Sequence, residues 1–269
     1  MTERPEPGFI MPQTFTHLSH RAAARPQSAA RMGLLLWLLG LPGVVALAWT
    51  TPPAWLAALA SGGSDIVVGW AATAGLSVLL ALSVGLGVRL GPRLGLSAPL
   101  IHAVAEGRMP WRGVRVLSLP GVAGGVIGAA WLVTLAVVWP ESMSFVDPVY
   151  GLPLWPKLLY GAITEELLLR LGMLSAVMWL LWKAFGSPRQ RPDWRLGWAA
   201  IALAALLSGC IPVFLGWTVV GELSAPVVLQ LLVCESVYGL LAGIMFWRYG
   251  LEAAMLTHVV TYLLSHGLI

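Results

Sequence analysis

Two adjacent carboxylates, followed four residues on by a guanidinium, interrupt an apolar run that extends from Leu154 to Phe185: Glu165-Glu166-Leu167-Leu168-Leu169-Arg170. Near the centre of a bilayer each charged side chain costs about 2.5–3.5 kcal/mol, so three of them together mark a site rather than drift. On a helix Glu166 and Arg170 share a face with the acid N-terminal to the base, the favourable order for an i, i+4 pair. Glu165 points about 100° away. A Glu166–Arg170 pair alone reads as a structural tie between helices; the extra carboxylate is what points to acid–base chemistry.

Other polar residues in apolar runs are candidates to join this island. His258 lies within the last apolar run, Tyr262 follows it one turn later on the same face, and Glu235 stands midway along the run before. His258 reads either as a hydrogen-bonded helix contact or as a ligand. His266 shares its face but sits about 12 Å further along, too far for both to hold one ion. His102 reads as an interface residue, Glu252 as the i, i+4 partner of Arg248, and Cys210 and Cys234 as small core residues rather than a disulfide.

The elements that must position these groups follow from composition. The chain has 269 residues, 58% hydrophobic and 10% charged, with a mean hydropathy of +0.81 and fourteen Trp. That excludes a soluble globular protein and predicts an all-α fold, a polytopic transmembrane helical bundle of about seven spans plus one interfacial helix. The net charge of +4 does not imply nucleic acid, because the basic residues fall in short blocks between apolar runs. Residues 1–32 lack an apolar core and a cleavage site and read as a disordered cytoplasmic tail. Residues 33–153 hold N-terminal transmembrane helices, with 90–115 as an interfacial segment, and 154–269 the domain that carries the island.

The predicted spans are Gly33 to Thr50, kinked at Pro42; Ile66 to Val88; Leu117 to Trp139, with Gly121, Gly124, Gly125 and Gly128 as a close-packing face; Leu154 to Phe185; Leu196 to Trp217; Pro226 to Trp247; and Leu251 to Ile269. Pro140 to Gly151 reads as a polar turn. As a straight α-helix the fourth would measure about 48 Å against about 30 Å of hydrocarbon, so it must tilt, project or break, with Gly172 as the candidate break. This arrangement puts fourteen of the sixteen Lys and Arg on one side, leaving Lys157 and Arg170. By the positive-inside rule the N-terminus is cytoplasmic and the C-terminus external.

Glu165-Glu166-x-x-x-Arg170, followed downstream by Gly250-Leu251-Glu252-Ala253-Ala254-Met255-Leu256-Thr257-His258, resembles the CPBP intramembrane metalloproteases, the CAAX-prenyl-protease-like and bacteriocin-processing relatives also called Abi proteins. The resemblance covers Leu154 to Ile269. It implies an integral protein of the bacterial inner membrane and an intramembrane endopeptidase acting on a membrane-associated peptide or protein. By that pattern Glu165 is the general base, Glu166 a supporting carboxylate, Arg170 its electrostatic partner, and His258 a ligand to water or to a divalent metal such as zinc. Glu165 would share that metal, with Glu235 as a substitute ligand, and Tyr262 would support. The family also places a histidine in the fifth span, and this chain has Gly216 and Trp217 there; Tyr262 replaces an Asn or Asp. The same residues therefore also fit a catalytically inactive relative acting as a binding or chaperone module. A transporter would carry an internal repeat, and none is visible.

Overall fold

Each long apolar run becomes a helix, because backbone amides in hydrocarbon have no water to bond and must pair within their own segment. The computed structural model describes residues 26–52, 55, 64–109, 111–139, 152–186 and 191–266, which hold helices and no strand. These are α1 (Pro26–Thr50), α2 (Asp65–Leu94), α3 (Pro99–Ala105), α4 (Trp111–Val138), α5 (Leu154–Phe185), α6 (Trp194–Val220), α7 (Ala225–Tyr249) and α8 (Leu251–Ser265). All but α3 and α8 are long and apolar enough to cross a membrane, giving six candidate spans. The protein is an all-α polytopic bundle and integral to a membrane.

Several boundaries differ from the sequence reading. The tail was expected to run to residue 32, but α1 starts at Pro26 and continues through Pro42. The seventh span is shorter than expected: α8 has 15 residues within the described chain, about 22 Å of helix against about 30 Å of hydrocarbon. The interfacial segment contracts to α3, because α2 continues to Leu94, where Gly95 at φ 78° closes the helix by donating its amide to the Gly91 carbonyl, a left-handed cap suited to glycine. Residues 1–25, the turn at 140–151 and Arg189 lie outside the described residues.

The central rod is α5, which packs against α1, α2, α6 and α8. It does not break at Gly172. Its Lys157–Leu174 stretch is π-helical, a wider and shorter winding with i→i+5 bonds that is rare and, where it occurs, frequent at functional sites, and this absorbs part of the excess length. Gly172 serves contact instead: a Cβ there would stand 2.6 Å from Ser83 Cβ of α2. The buried core around α5 includes Leu36, Val44, Leu80, Leu167, Leu171 and Phe246.

The ends of the bundle are tied by polar contacts. At one end the Leu251 amide donates to the Ser97 carbonyl at 2.9 Å, joining the head of α8 to the segment before α3. At the other, Gln230 Nε2 of α7 reaches the Trp139 carbonyl beyond α4 at 3.4 Å.

Candidate functional site

The site is assembled where three helices meet the π-wound part of α5. Thr164 anchors that stretch: its hydroxyl donates to the Gly40 carbonyl of α1 at 2.6 Å, with Leu159 O at 3.3 Å. Two residues on, Glu166 has no solvent exposure at all, and Arg170 is 4% exposed. Arg170 Nε stands 3.4 Å from Glu166 Oε2. Neither of those two atoms has a hydrogen-bond partner, so the contact is an ion pair held by charge more than by a formed hydrogen bond.

The second carboxylate oxygen is taken from across the bundle. Glu166 Oε1 lies 2.9 Å from His258 Nδ1 of α8, and His258 is 4% exposed. What turns His258 toward α5 is the seat of α8 on α4. A Cβ at Gly125 would lie 2.3 Å from Val260 Cβ, and one at Gly128 2.3 Å from Thr261 Oγ1. The Thr257 and Thr261 hydroxyls donate to the Gly121 and Gly125 carbonyls, each at 3.2 Å. Small residues thus let the two backbones approach, and the threonine bonds fix the rotation of α8.

The imidazole is flanked by two phenol rings, Tyr238 of α7 and Tyr262 of α8, each with its centroid 4.7 Å away. Gly161 leaves room for Tyr262, since a Cβ there would meet its ring at 2.6 Å. Tyr238 is 5% exposed and its buried hydroxyl faces Thr261 of α8. Glu165 and Glu235 are half-buried and, with Tyr238, within electrostatic range of Arg170.

The predicted residues are therefore brought to one region, but not in the predicted partnership. His258 takes Glu166, not Glu165, as its carboxylate. The expected metal set of His258, Glu165 and Glu235 is not gathered: among the described residues no three His, Cys, Asp or Glu side chains stand close enough to hold an ion. The physical reason is that His258 commits Nδ1 to Glu166, two tyrosine rings crowd the imidazole at 4.7 Å, and α6 supplies no imidazole. A catalytic zinc needs three protein ligands, and these residues do not fit one.

On α6 the residue level with the island is Ser208, not 216 or 217. Ser208 and Arg170 line a water-sized cavity of about 10 Å³ together with Leu169, Met173, Ala204 and Gly239, whereas Gly216 is buried elsewhere along the helix and Trp217 is 64% exposed. Ser208 donates to the Ala205 carbonyl at 2.8 Å. Cys234 is buried as expected of a small core residue, but Cys210 is exposed. His102 faces Glu106 at 3.6 Å on α3, and His266 is exposed at the end of α8.

Tyr238 was missed by sequence reasoning. The signal that would have found it is its place three residues after Glu235, on the same face of α7. Comparison of the chain with protein-family profiles, with curated proteins and with solved structures gave no match.

Proposed function

We propose that the protein is an intramembrane endopeptidase of the CPBP type that cleaves a membrane-associated peptide or protein. The observation that carries this reading is the 2.9 Å contact between Glu166 and His258, two motif residues 92 positions apart and buried together. A carboxylate on Nδ1 orients an imidazole and raises its basicity, leaving Nε2 to face a reacting group. Because the donor set does not fit a metal, the chemistry is assigned to the side chains alone. Glu165 takes a proton from water, the hydroxide adds to the scissile carbonyl carbon, and the proton passes to the leaving amine as the C–N bond breaks. Glu166 holds His258, and Arg170 holds Glu166.

The clustering of basic residues at one side supports a cytoplasmic N-terminus, and the resemblance to the CPBP proteins supports a bacterial inner membrane. A second reading, a catalytically inactive relative that binds or chaperones a membrane partner, is favoured by one observation: α6 presents Ser208 rather than a histidine beside Arg170. Reconstituted protein incubated with membrane-peptide libraries separates the two. The protease reading expects cleavage that falls at least about a hundredfold in Glu165→Gln and in His258→Ala and survives chelators. Equal cleavage by parent and both variants, or none by any, leaves the binding module.

A further inference from the structure

The head of α8 is stapled to the interfacial helix α3 by contacts that the proposed chemistry does not use. Glu252 Oε1 accepts hydrogen bonds from the Leu100 and Ile101 amides at 2.8 and 2.9 Å. Those amides lie in the first turn of α3, where a helix offers its N–H groups no internal partner. Next to them runs the Leu251–Ser97 backbone bond. Between the two ties Gly250 adopts φ 98°, and a Cβ there would also stand 2.7 Å from Pro99 Cδ, so the turn requires glycine. Glu252, expected to pair with Arg248, has its carboxylate turned to α3 instead.

One atom of this staple is unbalanced. Glu252 Oε2 is buried and has no hydrogen-bond partner. The ionisable groups on the surrounding elements are His102 and Glu106 at α3, Arg248 and Tyr249 at the end of α7, Arg115 on α4 and Arg31 on α1. His102 faces Glu106, Arg248 lies over the Trp247 ring at 5.0 Å, and the Glu252 carboxylate is met by the two α3 amides. A neutral carboxyl leaves one buried hydroxyl unpaired there, which costs less than burying a charged oxygen without a donor.

We propose that Glu252 is a proton-operated latch that, when protonated, holds α3 on the head of α8 and, when ionised, releases α3 and frees the helix that carries His258. Glu252 lies level with α3, outside the six candidate spans. Burial pushes its carboxyl up from 4.5 to about 7, with the amide bonds opposing. The sign follows from linkage: a carboxyl raised in the closed state holds the latch at full strength below 4.5, and the latch weakens as pH rises to about 7. Over that interval the closed-to-open ratio falls about tenfold per pH unit.

The test uses the full chain in liposomes and does not depend on hydrolysis. Spin labels replace Val104 on α3 and Leu263 on α8, both exposed, in a Cys210→Ser background that removes the exposed thiol. The label distance should lengthen between 4.5 and about 7 in the parent and stay short at every pH in Glu252→Gln, whose amide oxygen still accepts from α3. In unmutated protein, exchange protection of the Leu100 and Ile101 amides, corrected for intrinsic rates, should fall over the same range. A distance that ignores pH, a Glu252→Gln profile matching the parent's, or constant amide protection overturns the latch.

Discussion

Replacing Glu166 by Gln removes a charge while leaving volume almost unchanged, and the geometry sets what this should cost. The Gln carbonyl can still accept from His258 Nδ1, so the 2.9 Å contact survives. What is lost is the countercharge for Arg170, which is 4% exposed. Breaking a buried ion pair from one side costs about 3–5 kcal/mol. Glu165 and Glu235, within electrostatic range of Arg170, hold the loss to the lower end, about 3 kcal/mol, or about a hundredfold in the unfolding equilibrium. Adding Arg170→Met removes the stranded cation and should recover about 2 kcal/mol, because apolar replacement of a buried pair is often neutral or better. Reversible unfolding in mixed micelles, followed by tryptophan fluorescence, measures both. A single variant within about 0.5 kcal/mol of the parent, or a double variant less stable than the single, would refute the buried-pair reasoning.

Two further outcomes follow from the packing and the ligand set. Gly125→Leu should destabilise by about 1–3 kcal/mol through overpacking against Val260, while Gly85→Leu, where a Cβ meets nothing within 4 Å, should melt like the parent; equal melting temperatures would contradict the α4–α8 seat. Zinc loading followed by desalting should leave no stoichiometric metal by mass spectrometry and no change in thermal stability. One zinc per chain, lost in His258→Ala, would restore the metalloprotease assignment.

The island was legible because charges in an apolar run are costly enough to stand out, and His258 was visible as a polar residue in an apolar run, but its carboxylate was expected to be Glu165 and is Glu166. The glycines of α4 were legible as a packing face for a similar reason, since small residues recurring in one span imply a close neighbour. The π-winding of α5 was not: a shift from i→i+4 to i→i+5 bonds leaves no residue signature and depends on what packs around the helix. Gly172 looked like a break because a glycine in a long helix weakens it, yet its lack of a side chain is used to admit Ser83. Glu252 was assigned to Arg248 because local spacing knows only the same helix, whereas its amide donors stand 151 and 152 residues away. Tyr238 joins the site through a ring contact with His258, and only its place one turn beyond Glu235 on α7 could have flagged it.

The tyrosines that enclose His258 have a consequence for which end of the imidazole is free. With two phenol rings 4.7 Å from its centroid and Glu166 on Nδ1, the imidazole has little room to turn over. Packing, rather than protonation, therefore settles which nitrogen is which: Nδ1 is spoken for by Glu166, and any incoming group can meet the ring only at Nε2. A histidine held this way keeps one fixed direction of approach through every change of tautomer.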